Sequence, residues 1–270
     1  MCGIVGYVGS KRAQDIVSQG LKRLEYRGYD SAGIAIHVGT SKKETKIIKA
    51  PGKLAELKKI WNSIDVETHL AIGHTRWATH GEANAVNAHP HRVDQISLVH
   101  NGIIENHQEI RAELLKDGVT ITSDTDSELV AHLVANEVKK TKSLISAVEN
   151  ILPKLRGAFS IVVIWDQSPE DMIAFKDGPP LVVGLGEKEN FVASDVPAIL
   201  ESTREIYYLD DNELALLTPQ EIKVFTLDGR EKKIKTVKID WDVDSVDKMG
   251  YPHYMLKEIF EQPVSISDTV

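Results

Sequence analysis

The N-terminal part of the chain alternates between short apolar runs and stretches in which apolar residues follow a helical spacing. Small and β-branched residues between glycines predict a short buried strand over Cys2 to Val8. Apolar positions on one face predict a helix from Ala13 to Leu24. Two further strands are predicted at Ile34 to Val38 and Lys46 to Ala50, and an amphipathic helix follows Pro51 and runs through Trp61.

Polar residues interrupt this pattern at three places in the middle of the chain. Leu70 to Gly73 reads as the start of a strand, but it runs into the polar and aromatic stretch His74 to Gly81, which is typical of a loop. Ile96 to Val99 predicts a strand with His100-Asn101-Gly102 at its end. Ser123 to Asp126 precedes a helical pattern, with Ser or Asp placed to cap the helix. Loops rich in such residues are common locations for functional sites.

The second half of the chain is dominated by strands. Asp228-Gly229 predicts a tight hairpin between the last two of them. Sequential antiparallel strands with helices grouped elsewhere indicate an α+β fold, in which two sheets are sandwiched between helical layers. The predicted helices are Asn106 to Leu115 and Leu144 to Leu152, and the predicted strands are Ala158 to Trp165, Met172 to Phe175, Leu181 to Leu185, Phe191 to Ala193, Ile206 to Leu209, Leu214 to Thr218, Ile222 to Leu227 and Lys233 to Ile239.

The last thirty residues differ from the rest of the chain. Asp240 to Tyr254 resembles an exit strap, and Met255 to Pro263 predicts a short amphipathic helix closed by the proline. This segment has little core of its own, so we expect it to dock on another surface or to lead into another domain. The predicted division is a domain over residues 1–240 followed by a strap and linker over 241–270.

Charge and composition favour a soluble globular protein and argue against several other classes of protein. The 270 residues carry a net charge of −8 and 42% hydrophobic residues, as expected for a soluble globular protein. No basic block outweighs the acidic background, which argues against a nucleic acid or an anionic membrane as partner. No apolar run reaches the length of a membrane span, and the N-terminus lacks a secretory signal pattern. With a single cysteine, which excludes an intramolecular disulfide, we expect a cytoplasmic protein.

The one cysteine, Cys2, directly follows the initiator methionine. Removal of Met1 would leave a free α-amine on a residue that carries a thiol. An amine with a pKa near about 8 and a thiol near about 8.5 can exchange a proton at neutral pH, which supplies a nucleophile and a base on one residue. The alternative is a buried small hydrophobic residue at the start of a strand.

Three further stretches fit amide chemistry at Cys2. The side-chain amide of Asn101 and the backbone N–H of Gly102 could stabilise an oxyanion. An amino-acid substrate also needs a cation for its carboxylate and an anion for its ammonium group, and Arg76 and Asp126 offer these charges. Taken singly, Asn101-Gly102 could be a turn, Asp126 a helix cap and Arg76 a surface cation.

The histidines raise the possibility of a metal site. Their spacings match no standard zinc pattern and the one thiol lies at the terminus, so we expect no metal and no other cofactor. The histidines concerned are His74, His80, His89, His91 and His100.

Six motifs together give the chain a specific resemblance that extends essentially from end to end. It resembles the glutaminase domain of the glucosamine-6-phosphate synthases, a family of class II glutamine amidotransferases. The Leu24 to Asp30 stretch favours this family over the phosphoribosyl-pyrophosphate amidotransferases and the asparagine synthetases. The motifs are Met1-Cys2-Gly3-Ile4-Val5-Gly6, Arg27 to Gly33, Gly73 to Gly81, His89-Pro90-His91, His100 to Asn106 and Asp124 to Glu128.

The resemblance implies an N-terminal nucleophile hydrolase fold, a four-layer α/β/β/α sandwich with two antiparallel sheets. It also implies roles for individual residues. Cys2 would be the nucleophile, its own amine the base, and Asn101 with Gly102 the oxyanion hole. Trp77 would cover the site and gate ammonia transfer, Arg27 would support the loop beside the thiol, and His89 receives no role. The residues implied to hold the glutamine head group are Arg76, Thr79, His80 and Asp126.

Enzymes of this family continue into two sugar-phosphate isomerase domains beyond the region that matches this chain. The resemblance therefore implies L-glutamine as substrate, isomerase domains on the same chain as partners, and a homo-oligomeric full-length enzyme. We expect the 270 residues alone to act as a glutaminase only. Two alternatives remain, namely the glutaminase half of another class II amidotransferase, or a glutamine-binding regulatory module without turnover.

Overall fold

A computed structural model of the chain describes residues 2–39, 44–61, 68–78, 81–241, 251–252 and 254–269. Within these residues, two β-sheets lie between groups of α-helices. The strands are β1 (Gly3–Gly9), β2 (Ser31–Val38), β3 (Glu44–Pro51), β4 (Leu70–Arg76), β5 (His91–Val93), β6 (Ile96–Ile104), β7 (Gly157–Trp165), β8 (Ser168–Asp177), β9 (Val182–Leu185), β10 (Glu189–Ala193), β11 (Glu205–Tyr208), β12 (Glu213–Leu217), β13 (Ile222–Thr226), β14 (Glu231–Lys232) and β15 (Val237–Lys238). The helices are α1 (Ala13–Arg23), α2 (Leu54–Trp61), α3 (His107–Lys116), α4 (Asp126–Thr141), α5 (Leu144–Ile151) and α6 (Tyr254–Thr269).

Both sheets are antiparallel throughout. The first sheet has the strand order β15-β11-β9-β10-β1-β4-β2-β3, and the second has the order β14-β13-β12-β8-β7-β6-β5. β1 therefore lies inside the first sheet, between β10 and β4. β6 pairs with β5 and β7 near one end of the second sheet.

Three layers of apolar side chains hold the four structural layers together. Alternate residues of β1 face opposite ways: Ile4 and Val8 belong to a cluster between the sheets, whereas Val5 and Tyr7 pack toward α1 and α2. A third cluster joins the second sheet to α3, α4 and α5. A strand buried on both faces reads as a nearly continuous apolar run, which explains the sequence of β1. The predicted α+β sandwich with two antiparallel sheets is confirmed.

Two polar stretches predicted as loops or strand ends are in fact parts of strands. β4 continues through His74 to Arg76, where a loop was expected, because His74 and Thr75 pair with both β1 and β2 and Arg76 pairs with β2. β6 continues to Ile104, so Asn101-Gly102 lies inside a strand and not at its end or in a turn. Neighbouring strands on the sheet determine the local structure here, against the polar character of the residues.

The predicted strand from Lys233 to Ile239 is confirmed only at Val237–Lys238, which form β15 and pair with β11 in the first sheet. The two residues before the predicted strand form β14, which pairs with β13 in the second sheet. Ile234, between them, packs against the cluster that separates the sheets. The hairpin at Asp228-Gly229 is confirmed, with Gly229 at a φ of 76° and β13 and β14 on either side.

The C-terminal helix is longer than expected. α6 contains Pro263 and continues beyond it, so the proline does not close the helix. Several large apolar side chains of α6 are exposed, among them Met255, Phe260 and Ile266. Residues 242–250, which include most of the predicted exit strap, lie outside the described residues, and the division into 1–240 and 241–270 stays a prediction. Among the helices described, none combines the length and the hydropathy needed to cross a membrane.

Candidate active site

The thiol of Cys2 lies beside the end of β4. Cys2 directly precedes β1, and Gly3 of β1 pairs with Thr75 of β4, so the residues that follow β4 come next to the sulfur. The backbone N–H of Trp77 donates a hydrogen bond to Cys2 Sγ at 3.2 Å, and the thiol faces the Trp77 carbonyl oxygen at 3.6 Å. The sulfur is thus held by the backbone of one residue.

The protonation of this thiol is set by opposing effects. Burial raises the pKa of the Cys2 thiol, because a thiolate loses solvation in the protein interior. The hydrogen bond from the Trp77 N–H and the nearby positive charge of Arg76 lower the pKa, but they do not outweigh burial. The thiol therefore rests in its protonated form at neutral pH, and a base is needed to convert it into a nucleophile.

Asn101 reaches the nucleophile from the second sheet. Its side-chain nitrogen donates a hydrogen bond to the carbonyl oxygen of Cys2 at 3.1 Å, and its side-chain oxygen accepts one from His74 Nε2 at 3.0 Å. The amide nitrogen carries two hydrogens, and the bond to Cys2 uses one of them. The other hydrogen can face a ligand bound beside the thiol.

Gly102 has a backbone conformation that side chains disfavour. Its φ is 117°, and a Cβ atom at this position would overlap the carbonyl oxygen of Ala158 on β7 and lie 2.7 Å from Phe159 Cα. Only glycine allows β6 and β7 to approach this closely at this point. Gly102 lines the same pocket as Cys2, so the requirement for glycine lies at the site itself.

A small polar pocket on one side of the thiol is lined by Arg76 and Asp126. The Arg76 side chain is buried, and its guanidinium donates hydrogen bonds to the carbonyl oxygens of Gly81 and Glu82. Asp126 is also buried, and one of its oxygens accepts a hydrogen bond from the Ile104 N–H at 2.8 Å. A cation and an anion thus line one pocket, as recognition of an amino acid requires.

The alternative roles considered for these two residues are both wrong. Arg76 is not a surface cation, since it is only 4% exposed. Asp126 does not cap α4, because it is the first residue of the helix, and the N-cap is Thr125, whose side chain makes no capping hydrogen bond. The carboxylate of Asp126 instead links α4 to the end of β6, because it accepts the hydrogen bond from the Ile104 N–H.

A second, larger cleft of about 330 Å³ is also lined by Cys2. Trp77, Ile103 and the pair Pro179-Pro180 give it a mainly apolar lining, to which Cys2, Asn101 and Gly102 also contribute. The Trp77 side chain is 46% exposed and its ring lies 5.6 Å from that of Tyr29. Trp77 lines both the polar pocket and the apolar cleft.

Arg27 forms another part of the cleft wall. Its guanidinium makes an ion pair with Asp195 and a hydrogen bond to the Tyr26 hydroxyl. The next residue, Gly28, lies very close to the C-terminal end of β4. A Cβ atom added at Gly28 would be 2.6 Å from the carbonyl carbon of Arg76. The short 3-10 helix that ends at Arg27 is thereby followed by backbone packed directly against the end of β4 beside the thiol. Two other predicted ligands, Thr79 and His80, lie outside the described residues.

Residues that were not predicted as part of the site complete its frame. Asp30 donates its N–H to the Arg76 carbonyl oxygen at 3.0 Å and accepts a hydrogen bond from the Ala78 N–H at 2.9 Å. His89, for which no role was predicted, contacts Ser127 Oγ through Nε2 at 2.7 Å. Ser127 stands next to Asp126 on α4. No spacing in the sequence indicates these contacts, because they join segments that are far apart along the chain.

The buried histidines do not form a metal centre in the part of the chain that the structure describes. No group of three or more His, Cys, Asp or Glu side chains there is arranged to bind a metal ion. The rings of His74 and His89 lie 4.3 Å apart, and those of His89 and His91 lie 4.8 Å apart. Burial lowers the pKa of His74 and of His91 to about 3, so both rings are neutral at physiological pH.

Comparison with protein families gives a match over residues 59–201 to the glutamine amidotransferase domain. The match covers more than half of the 270 residues. The chain belongs to the glutamine amidotransferase family. Membership in this family agrees with the resemblance seen in the sequence motifs around Cys2, Arg76 and Asn101.

Two curated relatives of this amidotransferase chain carry the name glutamine–fructose-6-phosphate aminotransferase (isomerizing). The protein from Aquifex aeolicus is 48% identical over 275 residues, and the one from Thermococcus kodakarensis is 45% identical over 273 residues. Both alignments cover 100% of this chain and 45% of the relative. The chain thus spans slightly less than half the length of these relatives.

Solved structures of amidotransferases share the fold. The glutamine phosphoribosylpyrophosphate amidotransferase from B. subtilis, complexed with ADP and GMP, is 25% identical, with a TM-score of 0.70. The alignment covers 84% of this chain and 49% of that chain. A class II glutamine aminotransferase domain protein from Silicibacter pomeroyi is 13% identical, with a TM-score of 0.51 over 83% of this chain and 99% of that chain, and shares the fold alone. The predicted N-terminal nucleophile hydrolase sandwich is confirmed.

Proposed function

We propose that this chain hydrolyses the side-chain amide of L-glutamine to glutamate and ammonia, with Cys2 as the nucleophile. The observation that carries the proposal is the convergence of four groups on one place. The Cys2 thiol, the Asn101 carboxamide, the Arg76 guanidinium and the Asp126 carboxylate reach it from two sheets and a helix. Membership in the glutamine amidotransferase family supports the same substrate.

The reaction needs a free α-amine on Cys2, and therefore removal of Met1. The amine takes the thiol proton while sulfur bonds to the amide carbon of glutamine. The carbonyl electron pair moves onto oxygen, which the Asn101 side chain and the Gly102 N–H stabilise. The carbon–nitrogen bond then breaks, the amine returns the proton to the leaving nitrogen, and ammonia departs from a thioester. Water adds to the thioester, and glutamate and the free thiol are released.

The polar pocket supplies the contacts for the amino-acid end of glutamine. Arg76 pairs with the α-carboxylate and Asp126 with the α-ammonium group, and by resemblance Thr79 and His80 add further contacts. A buried carboxylate and a buried guanidinium that face one ligand favour a zwitterion over a neutral amide. Arg27 supports the wall of the neighbouring cleft.

The names of the relatives extend the proposal to a larger enzyme. Both are glutamine–fructose-6-phosphate aminotransferases about twice as long as this chain. We propose that the ammonia serves glucosamine 6-phosphate synthesis in isomerase domains on the same polypeptide, with Trp77 as the gate. Residues 1–240 would form the glutaminase domain and 241–270 the strap and linker. The complete enzyme would be a cytoplasmic homo-oligomer.

The proposal is tested with the polypeptide of these 270 residues. Its intact mass reports whether Met1 is absent, and glutamate release from L-glutamine reports turnover. We expect hydrolysis in the chain that begins at Cys2 and its loss in Cys2→Ala. Undiminished hydrolysis by Cys2→Ala would refute the nucleophile, and glutamine binding without turnover in the processed chain would favour a regulatory module.

A further test concerns the acceptor. Glucosamine 6-phosphate formed from fructose 6-phosphate by the 270 residues would contradict a glutaminase-only activity. In a chain extended by sugar-phosphate isomerase domains, we expect fructose 6-phosphate to stimulate glutaminase turnover. Stimulation by a different acceptor would identify another class II amidotransferase.

A further inference from the structure

We propose that His74 is a positioning residue that holds the Asn101 carboxamide with its nitrogen toward Cys2. The inference rests on the proposed glutaminase reaction, in which the Asn101 nitrogen faces the oxyanion. His74 itself touches neither the thiol nor the polar pocket that the structure describes. It acts through Asn101.

The orientation of the Asn101 carboxamide determines whether a donor or an acceptor faces Cys2. A carboxamide can rotate by half a turn and exchange its oxygen for its nitrogen with little change in shape. In the orientation that the structure shows, the nitrogen donates to the Cys2 carbonyl oxygen at 3.1 Å. In the reversed orientation, the amide oxygen would face both that carbonyl and a developing oxyanion, and would repel them.

His74 permits only the orientation in which the Asn101 nitrogen faces Cys2. His74 Nε2 lies 3.1 Å from the backbone carbonyl oxygen of His100, which can only accept a hydrogen bond. Nε2 must therefore carry a hydrogen. Since it is a donor, the Asn101 atom 3.0 Å away must be the oxygen. The nitrogen is then left to face Cys2.

The His74 ring is itself held in place by its surroundings. It is fully buried, and burial lowers the pKa of His74 to about 3, so the ring stays neutral with its hydrogen on Nε2. The ring of His89 packs against it at a centroid distance of 4.3 Å. His89 in turn contacts Ser127 Oγ at 2.7 Å. His89, which had no role from the sequence, thus packs against His74 and also lines the polar pocket.

The position of His74 in β4 makes this bridge possible. Ile72, His74 and Arg76 occupy alternate positions, and Ile72 belongs to the cluster between the sheets. On this one face of β4, Ile72 packs in the core, His74 contacts β6, and Arg76 lines the polar pocket. His74 links the first sheet, which carries Cys2, to the strand of the second sheet that carries Asn101.

Three variants test the inference. His74→Phe keeps a buried ring but removes the donor, whereas His74→Gln keeps an N–H donor near the place of Nε2. His37→Phe is the matched control, because His37 is also buried in the first sheet and its Nε2 lies 3.3 Å from a backbone oxygen, that of Asp166, away from the thiol. Circular dichroism and thermal unfolding check that each variant is folded.

Two rates are measured for each variant. For glutamine hydrolysis by His74→Phe we expect kcat to fall about 10- to 100-fold with KM changed less than about 3-fold, since removing one oxyanion donor outright costs about 100- to 1000-fold. Alkylation of Cys2 by iodoacetamide uses the thiol but no oxyanion hole, and we expect its rate to stay within about 2-fold. Cys2 is the only cysteine, so alkylation reports on this residue alone.

The outcomes separate this inference from the proposed function. Recovery of most of the lost kcat in His74→Gln, with near-normal turnover in His37→Phe, is the expected result. A kcat of His74→Phe within about 2-fold of the parent, a parallel loss of alkylation, or an equal loss in His37→Phe would overturn the positioning role. Absence of hydrolysis in the parent chain would instead refute the glutaminase proposal.

Discussion

Replacement of Gly102 with alanine tests how the fold positions the oxyanion donors. Gly102 has a φ of 117°, and a Cβ atom there would overlap the carbonyl oxygen of Ala158 and lie 2.7 Å from Phe159 Cα. Both neighbours are backbone atoms of β7, so a change of rotamer cannot relieve the contact. Accommodation of the methyl group requires β6 and β7 to move apart.

The expected cost has two parts. A non-glycine residue in an unfavourable backbone region costs about 1–3 kcal/mol, and forcing an extra carbon into a packed region costs about 1–3 kcal/mol more. Gly118→Ala is a matched control, because Gly118 also has a positive φ, of 77°, but a Cβ atom there would meet nothing within 4 Å. In Gly118→Ala, only the unfavourable backbone conformation lowers the free energy of unfolding.

The free energy of unfolding is measured by urea denaturation, and turnover by glutamate release. We expect Gly102→Ala to lose about 1–3 kcal/mol more stability than Gly118→Ala, since only the former contacts a neighbouring strand. Turnover of Gly102→Ala should fall at least about 10-fold, because a shift of β6 moves the Asn101 donor away from Cys2. Equal losses of stability in the two variants would refute the reasoning, and so would a folded Gly102→Ala with normal turnover.

Two further predictions concern carboxylates at the start of α4. Asp126→Asn should raise KM for glutamine about 30-fold or more, since loss of one partner of a buried charge pair costs about 2–5 kcal/mol. Asparagine can still accept the hydrogen bond from the Ile104 N–H, so the urea midpoint should barely change, and an unaltered KM would contradict the ammonium contact. Burial alone would raise the pKa of Glu128, but the contact with His132 Nε2 at 3.6 Å and hydrogen bonds from Ser123 and Thr122 hold it well below its usual range. A carboxylate with a depressed pKa stabilises the fold at pH values above its ordinary pKa of about 4.3, and this stabilisation is lost as the pH falls. In urea titrations, Glu128→Gln should therefore lower the free energy of unfolding more at pH 7 than at pH 3. An equal loss at both pH values would contradict this.

The sequence predicts the fold well wherever one element determines its own pattern. β1 reads as a buried strand because both of its faces are covered, and Asp228-Gly229 reads as a hairpin because its turn is local. The prediction is largely wrong between Lys233 and Ile239, because β14, just before this stretch, and β15, within it, are short strands that join different sheets. Assignment to a sheet depends on partners that are far apart in the chain, and a window of sequence does not contain them.

The candidate site, too, could be predicted from the sequence only in part. Cys2, Asn101, Gly102, Arg76 and Asp126 could be proposed from their chemistry and from the family resemblance, and all five come together in the structure. Their supports could not be predicted. A buried histidine such as His74 gives no signal in the sequence beyond its identity, because its function lies in a hydrogen bond to another sheet.

The resting state of the thiol explains why the α-amine matters in the proposed reaction. Burial raises the pKa of the Cys2 thiol, and the Trp77 N–H and Arg76 reduce this effect without reversing it. The thiol is thus protonated at neutral pH, and in the proposed reaction it loses its proton as the sulfur attacks. The structure gives Cys2 Sγ hydrogen-bonding partners only in the backbone of Trp77 within the described residues. In the proposed reaction the α-amine of Cys2 is the base, so a chain that retains Met1 should bind glutamine without hydrolysing it.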